Sequence, residues 1–300
     1  MRQPPFHTAL VFASVLLLKI SISAQDEAEG LLVPWKDELF ASPRVIESRD
    51  DGAYLILDYQ SKRDINGRDT IPEKKAKEER VSTETEAYQR DLELKTKYGK
   101  VPHIVVGHTA KASVIVLFLH GKGGSRTQGV DDWTFGGNFN RLENLVVRSG
   151  GLYISSDFGS FTGRGAKQVD ELLRHYIARS PGAPVIISAA SAGGRICYQL
   201  ARRDELVPYL DGIVLLGSFP DSPFLGSRAW KEKIPIYIGH GSGDWVSYIH
   251  KMEDLYRRIR ASDPSYPIRM ERFETGTHGT PMRMIDWRKT INWMLSVERP

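Results

Sequence analysis

Val185-Ile186-Ile187-Ser188-Ala189-Ala190-Ser191-Ala192-Gly193-Gly194 is an apolar run that ends in a serine and passes directly into small residues. A short apolar run bounded by glycine reads as a buried strand, and the residues from 192 to 203 continue in a helical pattern. The junction places Ser191 on a sharp strand-to-helix turn, with its hydroxyl exposed above the end of a sheet. Such a turn crowds the positions two before and two after the serine. Ala189 and Gly193 are both small, and Gly194 lets the helix pack closely. A small-x-Ser-x-Gly match arises by chance in roughly one chain in five of this size, judged from average residue usage. Taken alone, Ser191 reads equally well as a cap for the helix that follows.

The sequence on both sides of this turn repeats the same alternation. Short runs rich in Val, Ile and Leu at 103–106, 113–119, 152–155, 185–189, 213–216, 236–238 and 268–273 read as strands. Helical patterns at about 140–148, 167–179, 192–203, 246–260 and 281–297 separate them. Strands alternating with helices predict an α/β domain around a mostly parallel sheet. The strands are apolar without alternation, so helices cover both faces. This core spans 103–300. Residues 25–102 form an N-terminal segment, with a strand at 53–59 expected to supply the sheet's leading edge. The stretch 73–98 is dense in both charge signs and lacks Gly and Pro until Gly99, which predicts an exposed helix or helix pair.

Three further motifs fall at strand ends. The strand at 113–119 runs into His120-Gly121-Lys122-Gly123-Gly124-Ser125. A glycine-rich loop there can turn backbone N–H groups inward, and acyl transfer needs two such donors where a carbonyl oxygen becomes negative. The Lys122 amide and the amide of Ala192 are the expected pair. The Gly-Lys-Ser/Thr ending of a phosphate-binding loop is absent, and His120 is expected to shape the loop. After the strand at 236–238 comes His240-Gly241-Ser242-Gly243-Asp244, and after the last strand comes Gly276-Thr277-His278-Gly279. Asp244 alone can be a helix cap and His278 alone a surface residue. Ser, then Asp, then His, each following a successive strand of one sheet, is far harder to obtain by accident.

Together these residues resemble the α/β-hydrolase family over about 103–297. The His240-Gly241 pair ahead of Asp244 is similar to the corresponding stretch in dienelactone-hydrolase-like and prolyl-oligopeptidase-like members. The resemblance implies Ser191 as nucleophile, His278 as general base and acid, and Asp244 as the orienting acid, with Asp221 in reserve. It implies a serine hydrolase, first a carboxylic esterase. A peptidase, and a non-catalytic member that binds through the same cleft, are the alternatives. The stretch 217–233 is too short for a large lid. The aromatic residues Trp133, Phe158, Phe161 and Trp230, in loops at the expected catalytic end, are candidates for an acyl or aromatic subsite.

Composition narrows the remaining classes. Lys and Arg number 41 against 37 Asp and Glu in 300 residues, a net charge of +4. Residues 1–24 combine Arg2, an apolar run at 9–18 and the small residues Ser21, Ser23 and Ala24, the pattern of a secretory signal peptide. The alternative is an uncleaved N-terminal anchor. Removing these residues takes away Arg2 and Lys19 and leaves 39 minus 37, or +2, so nucleic-acid binding loses its support. An exported chain, periplasmic or extracellular and without stable membrane insertion after cleavage, is expected. The single cysteine, Cys197, can form neither an internal disulfide nor a thiolate zinc site and reads as a buried apolar residue. No metal or cofactor is expected, and the anticipated partner is a small ester or acyl substrate.

Overall fold

The computed structural model describes Met1 and residues 30–298, so the expected signal segment lies outside the described residues apart from Met1. The chain runs β1 (Val45–Arg49), β2 (Tyr54–Leu57), α1 (Ser61–Arg68), β3 (Asp69–Thr70), β4 (Lys75–Ala76), β5 (Gln89–Thr96), β6 (Gly99–Gly107) and β7 (Ile115–Leu119). Then follow α2 (Asn138–Arg148), β8 (Leu152–Ser156), α3 (Gly163–Arg179), β9 (Val185–Ala190), α4 (Gly194–Leu200) and β10 (Leu210–Leu216). The last elements are α5 (Arg228–Lys231), β11 (Ile236–Gly241), α6 (Ile249–Ser262), β12 (Ile268–Phe273), α7 (Thr280–Met284) and α8 (Trp287–Ser296).

Ten strands make one sheet in the order β1-β2-β12-β11-β10-β9-β7-β8-β6-β5. From β2 across to β8 every neighbouring pair is parallel, while β1–β2, β8–β6 and β6–β5 are antiparallel. Successive side chains point to opposite faces of a strand. On β7, Ile115, Leu117 and Leu119 join one buried layer with Val169 and Leu172 of α3, Ile196 of α4 and Met252 of α6. Val116 and Phe118 join the other, with Leu142 of α2 and Ile291 of α8. Each such side chain contributes about 1.5–3 kcal/mol on leaving water, so both faces hold the sheet in place. The parallel run has a direct consequence for chemistry. The loops that follow β7, β9, β10, β11 and β12 all emerge at one end of the sheet.

The N-terminal segment departs from the sequence-based expectation. Residues 73–98 form no α-helix. They fold as β4, two 3-10 turns and the edge strand β5, which pairs with β6 from Gln89↔Val106 to Thr96↔Gly99. Leu92 and Leu94 alternate with Asp91, Glu93 and Lys95, a period of two that the overall charge density hides. Charges on an outer strand also discourage edge-to-edge association, so their abundance fits an edge as well as a helix. A boundary at residue 102 falls inside β6 and separates nothing. The expected strand at 53–59 exists as β2, but it lies one strand in, between β1 and β12. The sheet's two edges are β1 and β5, both from the N-terminal segment. The expected helix at 281–297 is broken into α7 and α8, where Asp286 caps α8 by accepting from the Lys289 amide.

Arginines tie this segment to the core. Arg68, Arg80 and Arg141 lie 5.4, 5.4 and 4.9 Å from the centroid of the Phe40 ring. The fully buried Arg141 pairs with Asp37 at 2.9 Å and with Asp286 at 3.2 Å. One buried charge works the other way. Glu143 of α2 receives only Thr85 Oγ1, at 3.3 Å, and its Oε1 has no partner. Burial, reinforced by nearby Asp132, pushes its carboxyl well above the usual range. A raised acid stabilises the fold below its unfolded pKa and loses that stability as pH rises through the folded value. Glu143→Gln is therefore expected to be more stable than wild type at pH 8 by about 1 kcal/mol, or roughly 2–4 °C in Tm. Near pH 4 the advantage should vanish. Thermal melts at the two pH values check the sign.

Candidate active site

Ser191 follows β9 directly and adopts φ +50°, in the left-handed region. That conformation costs a residue with a Cβ about 1–3 kcal/mol and persists only where the surroundings enforce it. Here they leave no room for relaxation. A Cβ on Gly193 would lie 2.5 Å from Leu119 O and 2.8 Å from His120 O. One on Gly194 would overlap Ser218 Oγ, and one on Gly121 would lie 3.0 Å from Ser191 Cβ. The glycines around the serine are thus each required by a named neighbour.

Asp244 and His278 come from the loops after β11 and β12. Asp244 Oδ2 accepts from His278 Nδ1 at 2.7 Å, while Oδ1 accepts from the amides of Val246 at 2.8 Å and Ser247 at 3.0 Å. These are the i+2 and i+3 amides that a helix N-cap would take, yet regular helix begins only at Ile249. Burial alone would raise the Asp244 carboxyl. Hydrogen bonds from His240, His278 and the Ser247 amide together outweigh it and hold the acid well below the usual carboxylate range. A hydrogen on His278 Nδ1 leaves Nε2 with its lone pair available, the tautomer a general base needs. The imidazole packs on Gly217, where a Cβ would come 3.4 Å from Nδ1. The next residue, Ser218, donates from Oγ to Ser191 O at 2.9 Å. The histidine and the serine thus each rest on one residue of the Gly217-Ser218 pair. No hydrogen bond joins Ser191 Oγ to His278 among the described residues, and such bonds commonly close only on a bound substrate.

Asp221, the reserve acid, is engaged elsewhere: its carboxylate pairs with Arg202. The loop after β7 approaches the serine at Gly121. The Lys122 amide makes no backbone hydrogen bond among the described residues. Ala192 is the second residue of the turn that opens α4, ahead of the first intrahelical bond, so its amide too lacks a helical acceptor. His120 is buried and shapes this loop. Its Nδ1 contacts Gly121 O at 2.8 Å, its Nε2 lies 3.5 Å from Asp157, and its ring stacks on Phe158 at 4.7 Å. Arg126 fastens the assembly, bridging Asp157 at 2.7 Å and Asp91 of β5 at 2.9 Å.

The four expected substrate-binding aromatics fall in three different places. Phe158 and Phe161 stand edge to face at 5.1 Å, with Phe158 stacked on His120, so they buttress the glycine loop. Trp133 is half-buried beneath the β3–β4 ribbon, its carbonyl taken by the Ala76 amide and its ring by Lys75 Nζ at 3.8 Å. Trp230 must be reassigned. It stacks at 4.5 Å on Tyr266, whose hydroxyl donates to Ile234 O. Tyr266 and Ile234 precede β12 and β11, so Trp230 lies toward the opposite end of the sheet from His278. Its apolar ring serves the core instead of a subsite.

Other apolar side chains lie at the sheet end that carries Asp244 and His278. Phe135 Cε1 would lie 3.5 Å from a Cβ on Gly279, next to His278. Trp245, Val246 and Tyr248, immediately after the acid, are 75%, 42% and 52% exposed. Their position beside Asp244 in the sequence was the available signal, since they share the loop after β11 with it. No group of three or more His, Cys, Asp or Glu side chains that could hold a metal occurs among the described residues.

Solved structures share this arrangement of strands and helices. A thermostable esterase superposes with TM-score 0.55 at 14% identity, over 70% of this chain and 63% of its own length. A protein of unknown function from Agrobacterium tumefaciens, assigned provisionally to the α/β hydrolases, gives 0.54 at 16% identity over 69% and 94%. The chain has the α/β-hydrolase fold. An esterase from Pyrococcus furiosus gives 0.51 at 13% over 71% and 94% of the two chains. No protein-family model matches the sequence, and no curated protein matches it. Within this α/β-hydrolase fold, the segment between β10 and β11 holds only a 3-10 turn and the single-turn α5, so no large lid is built there.

Proposed function

We propose that the chain is an exported serine hydrolase that cleaves carboxylic esters through an acyl-enzyme on Ser191. One observation carries the reading: a serine held at φ +50° sits at the same sheet end as an Asp244–His278 pair closed at 2.7 Å. His278 Nε2 takes the Ser191 proton as Oγ attacks the ester carbonyl carbon. The carbonyl oxygen becomes an oxyanion, received by the amides of Lys122 and Ala192. Collapse breaks the bond to the alcohol oxygen, which leaves with the proton from His278. Water then repeats the cycle, releasing the acid and restoring Ser191. Asp244 stays ionised throughout and stabilises the imidazolium.

The exposed Trp245, Val246 and Tyr248 support an apolar acyl-binding rim. Trp245→Ala is expected to raise KM about 5- to 30-fold for long-chain or aromatic 4-nitrophenyl esters, the equivalent of about 1–2 kcal/mol of lost apolar contact. The acetate ester should change little. Equal effects on all chain lengths would remove Trp245 from the rim.

A fluorophosphonate probe tests the reaction itself. Labelling of the folded protein, together with turnover of small esters, is the expected result. A folded protein that neither labels nor turns over any ester overturns it. Export predicts a protein recovered outside the cytoplasm with residues up to Ser23 or Ala24 removed, and an intact N-terminus refutes it.

A further inference from the structure

The acid loop and the nucleophile turn are joined by a chain of buried hydrogen bonds. His240, on β11, is fully buried. Its Nε2 lies 2.6 Å from Ser247 O and 3.3 Å from Asp244 Oδ2. Both are acceptors, so the ring hydrogen sits on Nε2. Its Nδ1 is buried without a partner. Ser247, held at its carbonyl by His240, donates from Oγ to Ser218 O at 2.6 Å. Ser218 in turn donates from Oγ to Ser191 O at 2.9 Å. These links run from the strand that carries the acid, across the loop after β10, to the strained residue on β9. Gly194 makes the last link possible, because any side chain there would displace the Ser218 hydroxyl.

We infer that His240, Ser247 and Ser218 form a strut that fixes the spacing between Asp244–His278 and Ser191, with His240 as a positioning residue. The inference rests on the serine-hydrolase reading. The physical reasons are specific. A buried polar group left unpaired is costly, so each member enforces the geometry of the next. Two amides already hold Asp244 Oδ1, and the His240 N–H approaches Oδ2, the same oxygen that His278 uses. A misplacement of about 1 Å at a catalytic group can cost about a hundredfold in rate. The strut touches no reacting atom, so its loss should appear in kcat and leave KM nearly unchanged.

The test uses the full chain, with folding checked by thermal melts. His240→Leu is expected to lower kcat about 10- to 100-fold with KM within about twofold, and His240→Gln, whose amide N–H replaces Nε2–H, to recover most of the loss. Ser218→Ala and Ser247→Ala should each lower kcat about tenfold, and the double variant little further, because links in one chain do not add. Wild-type kcat in His240→Leu, or multiplied losses in the double variant, overturns the strut. A second readout stands apart from turnover. The low-field imidazole N–H proton of His278 should be visible by NMR in wild type and His240→Gln and lost to exchange in His240→Leu. If wild type failed to label with the fluorophosphonate, the hydrolase reading would fall, while this resonance would still decide whether His240 holds the pair.

Discussion

Replacing Ser191 by alanine is expected to lower ester turnover about 10⁵- to 10⁶-fold and to abolish fluorophosphonate labelling, the scale found when a serine nucleophile is removed. His278→Ala should fall as far, because the two act in one proton transfer. Backbone conformation adds a second, opposite expectation. Ser191 is held at φ +50°, where a Cβ is unwelcome. Alanine keeps that Cβ, so Ser191→Ala should melt close to wild type. Glycine removes it, so Ser191→Gly should be just as inactive yet more stable by about 1 kcal/mol, or roughly 2–4 °C. Stability gained by deleting the nucleophile would mark the strain as maintained for exposure of the hydroxyl. Retained labelling in Ser191→Ala would place the nucleophile elsewhere. A glycine variant less stable than the alanine one would show that the turn carries no strain.

The core strands were legible because a sheet covered on both faces needs continuous apolar residues. Runs such as 114–119, 185–190 and 213–216 meet that need. The candidate site was legible for a related reason: parallel strands deliver their following loops to one end, so order along the chain becomes proximity in space. The N-terminal segment follows neither rule. Charge density at 73–98 speaks for exposure and masks the short alternation at Leu92 and Leu94, which the pairing of β5 with β6 turns into a strand. That β2 pairs with β12, the last strand, is a matter of topology, which local pattern does not carry. The aromatics show the same division. An aromatic in a loop is marked by sequence as surface or subsite, but Trp230 found Tyr266 and Phe158 found His120, partners distant in sequence. Trp245 has no ring partner among the described residues and remains largely exposed beside the acid.

Asp244→Asn is expected to cost about 10³- to 10⁴-fold in kcat, while Asp221→Asn should stay within about threefold of wild type. The asymmetry follows from counting donors. Both Asp244 oxygens are acceptors, Oδ1 from two amides and Oδ2 from His278 and His240. An asparagine has one oxygen and one NH2. With the oxygen toward the amides, the NH2 faces His278, which must then accept at Nδ1 and carry its hydrogen on Nε2. That tautomer cannot take the Ser191 proton. With the amide flipped, an NH2 opposes two backbone N–H groups and the loop itself must open. Asp221 holds only Arg202 and the start of a 3-10 turn, so its neutral variant disturbs neither proton nor geometry. Acid titration gives an independent check. A carboxyl whose folded pKa is depressed stabilises the fold above its unfolded value, near 3.9, and loses that contribution as pH falls through the folded one. Wild type should therefore melt above Asp244→Asn at pH 7, with the gap narrowing steadily below about pH 4. A gap constant with pH would mean that Asp244 is held by shape and not by its charge. Collapse of Asp221→Asn with survival of Asp244→Asn would move the orienting acid to the loop after β10, where its partner Arg202 would have to release it.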